Sequence, residues 1–411
     1  MMSGLRIHPA HGRDFLRAAA MALLWFPGVA FAQTQSPPKT VSASVPDWLQ
    51  PPLRRAGANR VQLIDAWNRT PKEEREGMRF LLENMPDRDL QTLSSAYLRE
   101  QVSLGYRALA DAPWKDAIPS ALFLNDVLPY SVLNEERDTS RRMLRETSLP
   151  LIADCRTPGE AAQRLNERLF PLLKVRYSTE RKRPDQNPTE TIESGKATCT
   201  GLSILLVDAC RSVGIPARVV GTPLWTNLRG NHTWVEFWDG TRWRFTGAAE
   251  PDPQGPDRGW FTGDASKALK DNPRHAIYAS SFKRTGVAFP LVWAKDIRWV
   301  NAENVTDRYT VSVPTTDDGK TRLLVKTVDA TGKRVAAQVT LRAFGGTETL
   351  AEGRSKGDTA DMNDYLTFEV LRVCPPRQYE ITVVFGKATV RRTISAGMEP
   401  EEMVVIRLGN G

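Results

Sequence analysis

A cysteine and a histidine 33 residues apart, Cys199 and His232, are the pair whose types could do chemistry together. A thiol becomes a strong nucleophile when it loses its proton, and imidazole is the side chain that most often takes that proton. Cys199 opens CTGLSILLVDACRSVG, in which Leu202, Leu205, Leu206, Ala209, Cys210 and Val213 recur at helical spacing. The thiol therefore sits on the first turn of a predicted helix. Unpaired N–H groups and the positive helix end favour thiolate there. Cys210 lies at the far end of the same apolar stripe and reads as a small core residue. His232 opens HTWVEFW, whose alternation predicts a strand. His232, Trp234, Glu236 and Trp238 share one face; Thr233, Val235 and Phe237 share the other. His275, in DNPRHAIYA, has no thiol pattern around it and is expected to be a surface or capping histidine.

The elements that must position this pair are legible nearby. Gly214 is a C-cap that ends the helix, and Ile215-Pro216 leads into the next strand. Asp239-Gly240 is a hairpin signal between HTWVEFW and TRWRF. The polar segment from Val175 to Thr198 is expected to be a long exposed loop that delivers the chain to Cys199. Five of the eleven tryptophans fall between Trp225 and Trp260, enough to wall a cleft or fill a core.

GKATCTGLSILLVDACRSVGIPAR followed by HTWVEFWDGTRW resembles the core of the transglutaminase-like superfamily, over about residues 119–261. The resemblance implies a papain-like fold and acyl transfer on an amide, resolved by water or by a second amine. By position Cys199 matches the nucleophile and His232 the base. The family's orienting aspartate falls, counted from Trp243, on Gly247. A two-residue hairpin at Asp239-Gly240 also sets residue 247 opposite His232. Glycine cannot orient an imidazole, but a bulge there would shift the face and bring up Glu250. Glu250 is therefore the expected orienting acid, with Asp252 in reserve. The backbone N–H of Cys199 is the expected oxyanion donor, with Gln186 as a candidate side-chain donor.

The rest of the chain suggests an α+β protein, with this papain-like core preceded by a helical region and followed by an all-β sandwich. The expected divisions are a signal peptide at 1–32, a flexible leader at 33–48, a helical region at 49–118, the core at 119–300 and the sandwich at 301–411. In the helical region, Thr70-Pro71-Lys72-Glu73 reads as a helix start and Asp87 as a cap. After residue 302 the pattern turns to alternation punctuated by Asp329-Ala330-Thr331-Gly332 and Phe385-Gly386-Lys387. This part resembles carboxypeptidase-regulatory-like or transthyretin-like modules.

Arg6, Arg13 and Arg17, the apolar run 18–32 and Ala30-Phe31-Ala32 form a secretory pattern, so a secreted or periplasmic protein is expected, without stable membrane insertion after cleavage. The net charge of +8 is scattered, apart from a short cluster at Arg181-Lys182-Arg183, which argues against nucleic-acid binding. Cys155, Cys199, Cys210 and Cys374 are too few for a disulfide scaffold. No metal-ligand spacing is present and no cofactor is implied. The expected partner is a protein or peptide substrate, cut by hydrolysis in preference to cross-linking. The alternative is a non-catalytic binding protein on the same fold, motivated by Gly247; the oligomeric state is left open.

Overall fold

The computed structural model describes residues 45–310, 319–358 and 363–409. The expected signal peptide and most of the expected leader lie outside them. From residue 50 the chain runs through short helices: α1 (Gln50–Ala56), α2 (Arg60–Arg69), α3 (Arg75–Asn84), α4 (Asp87–Thr92) and α5 (Ser95–Ala110). The helix start expected at Thr70-Pro71 is a 3-10 turn, Lys72–Glu74, leading into α3. Asp87 is the first residue of α4 rather than its cap. Ser94 caps α5 by accepting from Tyr97 N (3.2 Å). Leu63, Met78, Leu81, Leu98 and Val102 bury the inner faces of these helices in the same core as the central domain.

Four helices follow: α6 (Ser120–Asp126), α7 (Arg141–Leu151), α8 (Pro158–Leu173) and α9 (Pro188–Ser194). Capping boxes, Thr157 with Glu160 and Asn187 with Glu190, start α8 and α9. The segment expected to be a long exposed loop is instead tied down. It holds α9 and a parallel pair of two-residue strands, β1 (Arg176–Tyr177) and β2 (Lys196–Ala197). Ser178, Gln186, Pro188 and Thr191 are buried within it. Many of its polar groups find partners within the segment, as Gln186 does on Ser194 and Lys196, or beyond it, as Thr189 does on Asp138, so polarity did not mean exposure.

Helix α10 (Cys199–Ser212) packs against a five-stranded antiparallel sheet. The strands are β3 (Ala217–Thr222), β4 (His232–Trp238), β5 (Trp243–Thr246), β6 (Tyr278–Ser281) and β7 (Asn301–Asn304), in spatial order β5-β4-β3-β6-β7. Leu202, Leu205, Leu206, Ala209 and Cys210 are fully or almost fully buried. Each leucine removed from water contributes about 1.5–3 kcal/mol, which makes this helix–sheet contact the centre of the domain. Burial also pushes the Cys210 thiol up to about 12, as suits an inert core residue.

The remaining seven strands are β8 (Lys320–Val328), β9 (Gln338–Ala343), β10 (Thr349–Arg354), β11 (Leu366–Leu371), β12 (Arg377–Phe385), β13 (Ala388–Ala396) and β14 (Glu401–Arg407). They form two sheets, β10-β9-β12-β13 and β11-β8-β14. Between them lies a second core containing Leu323, Val325, Val339, Leu341, Phe368 and Ile381. All pairings are antiparallel except β14 on β8. Asp329–Gly332 is the turn expected from its residues, with Gly332 N donating to Asp329 O (3.1 Å). The chain is therefore an α+β protein with a helical region before the central domain and β-sheets after it. All four cysteines are free thiols.

Gly214 closes α10 at φ +81°, and a Cβ there would stand 2.6 Å from the carbonyl oxygen of Ala108 at the end of α5. Trp114 Nε1 donates to Gly214 O (3.1 Å) across the same contact. Gly214→Ala is therefore expected to lower unfolding free energy by about 2 kcal/mol or more in urea titration. A loss below about 0.5 kcal/mol would contradict this close approach of α5 to α10.

Candidate active site

Cys199 is the first residue of α10, and its N-cap, Thr198, makes no side-chain capping hydrogen bond. The first-turn N–H groups are therefore not consumed by a side-chain cap, and the helix end stays electropositive beside the thiol. Gly201 lets this turn lie close to β2. A Cβ at that position would stand 2.9 Å from Ala197 Cβ. His232 is the first residue of β4, opposite Thr222 of β3. The residues that follow each candidate side chain are joined: Thr200 Oγ1 and Thr233 Oγ1 share a buried hydrogen bond of 3.1 Å. Cys199 and His232 line one cleft of about 370 Å³.

The imidazole is 3% exposed and boxed by aromatic rings. Trp260 lies 4.8 Å from it between centroids, Phe261 5.0 Å, Trp234 5.8 Å and Trp225 6.2 Å. Nε2 is buried without a hydrogen-bond partner among the described residues. Burial, aided by the nearby Arg229 charge, lowers the His232 pKa to about 3. The resting imidazole is therefore neutral, the form that accepts a proton.

The two-residue hairpin expected at Asp239-Gly240 is a four-residue loop. Asp239 Oδ1 accepts from Thr241 N (2.7 Å) and Arg242 N (2.9 Å), and the strands resume at Trp238 opposite Trp243. The ladder ends at Val235 opposite Thr246. Gly247 then starts a turn rather than a bulge, with Glu250 N donating to Gly247 O (3.2 Å) and Ala249 at φ +63°. This corrects the expected route of Glu250 to the imidazole. Its Oε2 accepts from Trp260 Nε1 (3.0 Å), so Glu250 reaches His232 through the indole packed on it. Asp252 caps its own turn by accepting from Gln254 N (2.8 Å) and stands 3.8 Å from Arg258. Gln186 is fully buried, its amide donating to Ser194 Oγ and Lys196 O, and it does not line the cleft. His275 Nδ1 contacts Leu224 O (2.9 Å), bracing the segment before β4, as suits a capping histidine.

The β-sheets after the central domain supply part of the cleft: Asp364 and Tyr365 line it together with Tyr177, Trp225, Trp260 and Trp293. Arg229, three residues before His232, links the two parts. It pairs with Asp264 (3.0 Å), donates to Asn363 Oδ1 (3.0 Å) and stacks on Trp260 and Tyr365. On the cysteine side, Thr179 and Ser178 donate to Asp358, and Lys333 pairs with Glu180. Residues this far along the chain carry no local signal for the cleft; Arg229 stood next to the histidine but in no recognisable pattern. Among the described residues, no group of three or more His, Cys, Asp or Glu is placed to hold a metal ion.

Residues 145–265 match the family model of the transglutaminase-like superfamily. No curated protein matches the chain by sequence. Among solved structures, a candidate cysteine protease from Cytophaga hutchinsonii is similar at 18% identity, over 32% of this chain and 44% of that one, with a TM-score of 0.25. A candidate protease from Parabacteroides distasonis is similar at 9% identity, over 72% of this chain and 52% of that one, with a TM-score of 0.24. The chain thus spans about half the length of each of these structures.

The dry histidine predicts a pH effect on stability. Its folded pKa of about 3 lies below the ordinary 6.5, so its contribution is fully present above pH 6.5 and is lost as pH falls toward 3. In urea titrations from pH 7 to pH 4, the wild type is expected to lose up to about 1.4 kcal/mol per pH unit more than His232→Gln. Parallel pH profiles for the two proteins would show that the imidazole is not desolvated.

Proposed function

From the premise that the chain carries a transglutaminase-like domain at residues 145–265, we propose that it is a thiol-dependent acyl-transfer enzyme acting on peptide or isopeptide amides. The observation that carries this reading is the meeting of Cys199, at a helix start, and His232, at a strand start, in one aromatic-walled cleft. In the proposed reaction, His232 takes the Cys199 proton as the sulfur attacks the amide carbonyl. The tetrahedral oxyanion is met by N–H groups at the start of α10. Collapse breaks the C–N bond, and the amine leaves with the proton returned by His232. Water, deprotonated by the same imidazole, then attacks the thioester and releases acid and thiol. Hydrolysis is favoured over cross-linking because water needs no second binding site. Glu250 acts as a positioning residue that holds Trp260 against the imidazole. The pattern at residues 1–32 supports secretion or a periplasmic location, and no helix among the described residues is long and apolar enough to cross a membrane.

The unpartnered His232 Nε2 favours a second reading, a binding protein on the same fold. With no carboxylate on that nitrogen among the described residues, the imidazolium formed during attack lacks the stabilisation of a third group. The two readings part on the reactivity of Cys199.

Alkylation of Cys199 by iodoacetamide, followed from pH 5 to pH 9 with exposed Cys374 as internal reference, decides between them. The enzyme reading expects faster labelling at Cys199 than at Cys374, reduced about tenfold or more by His232→Ala. Because His232 stays neutral down to about pH 3, no imidazole step is expected near pH 6.5. Ordinary thiol kinetics in both proteins would remove the enzyme reading and leave the binding scaffold.

A further inference from the structure

The basic cluster Arg181-Lys182-Arg183 divides in the fold. Arg183 pairs with Glu190 (2.7 Å), and Lys182 leans on the same carboxylate (3.5 Å). Arg181 takes the opposite course and lines the same cleft as Cys199. Glu180, the acid next to it in sequence, is committed to Lys196 (3.1 Å) and Lys333. No carboxylate of the described residues pairs with Arg181. Its Nη1 donates to Thr179 O (2.8 Å), and its Nε is buried without a partner.

The other charged residues lining the cleft are already compensated. Arg229 is paired with Asp264 (3.0 Å). Asp364 lies between Lys326 (2.6 Å) and Arg334 (3.0 Å). Among the described residues, Arg181 thus leaves the cleft with one half-buried, uncompensated cation. A guanidinium taken partly out of water with an orphaned donor is costly unless an anion meets it. Its carrier segment is held on both sides, by Ser178, Thr179 and Glu180 before it and by Lys182 N donating to Gln186 Oε1 (3.1 Å) and Arg183 on Glu190 after it, which restrains the charge from swinging out to solvent. Carboxylate is the anion class whose planar geometry suits guanidinium, and a peptide supplies it.

We propose that Arg181 is the anion anchor of the cleft, and that the acyl substrate is an acidic peptide whose carboxylate lies close to the amide attacked by Cys199. This deepens, and rests on, the reading of the cleft as a thiol acyl-transfer site. The carboxylate comes either from an acidic side chain or from a peptide C-terminus.

The test compares iodoacetate with iodoacetamide at Cys199, each rate divided by that of the same reagent at Cys374 in the same chain. The expected normalised preference for iodoacetate is about tenfold, retained in Arg181→Lys and lost in Arg181→Gln. No preference, or one unchanged in Arg181→Gln, overturns the proposal. A second measurement needs no variant. Glutarate is expected to protect Cys199 from iodoacetamide in the unsubstituted protein, and glutaramide at the same concentration is not; equal protection overturns the anchor. Peptide amides with Glu or Gln beside the scissile bond, each with free or amidated C-terminus, then identify the source. Loss of turnover with Gln assigns the side chain, loss with amidation assigns the terminus, and indifference to both overturns the substrate class. If no amide is turned over, the enzyme reading fails while the alkylation ratio still decides the anchor.

Discussion

The site depends on the packing of one helix start against one strand start. Thr200 and Thr233 share a buried hydrogen bond (3.1 Å), and they directly follow Cys199 and His232, the candidate catalytic pair. Neither hydroxyl has water to fall back on, so breaking the pair would leave two buried groups unsatisfied. The leucine stripe of α10, set on β3 and β4, supplies the free energy that holds this polar contact in register. Gly201 permits the approach by presenting no side chain to Ala197. Helix and sheet together therefore fix Cys199 and His232 to rigid elements rather than to loops, which is the arrangement the proposed roles of nucleophile and base would require.

The β-sandwich takes part in the same arrangement. It touches the segment before Cys199 through Asp358 and Lys333, and the segment before His232 through Asn363 and Tyr365. Both approaches to the cleft are thus braced by one body. Arg229 is the clearest case: one guanidinium binds Asp264 of the central domain, Asn363 of the β-sheet region, and two aromatic faces. Such a cation contributes through stacking and planar hydrogen bonding together, which lysine could not reproduce. Its charge also adds to the burial that holds His232 neutral, so the brace reaches the chemistry.

What the sequence made legible was whatever repeats along one element. The 3.6-residue stripe from Leu202 to Val213 and the alternation of HTWVEFW located Cys199 and His232, and the change to alternation after residue 302 located the sheets. What it hid was geometry set by single side chains. Asp239 bonds two N–H groups of its own turn and so lengthens the hairpin to four residues, which moves the register by two and removes residue 247 from opposite His232. The partners of polar groups between Val175 and Thr198 were equally invisible, and the segment looked exposed although Gln186 and Thr191 are buried. Tyr365 lies 133 residues from His232, beyond the reach of any local pattern.

The aromatic box explains how His232 stands here without a direct carboxylate among the described residues. A charged imidazole among Trp225, Trp234, Trp260 and Phe261 would lack water, and Arg229 would repel it, so the neutral form is the stable one. Ring packing fixes the orientation that a carboxylate would otherwise fix by hydrogen bonding. It does not supply the negative charge that would stabilise imidazolium once a proton arrives. Glu250 cannot make up that charge from behind Trp260 as well as it would in contact, since the indole stands between them. The arrangement therefore trades basicity at His232 for a dry, pre-oriented acceptor, and the rate of any acyl transfer rests the more heavily on the N–H groups at the start of α10 and on how the substrate is held over Cys199.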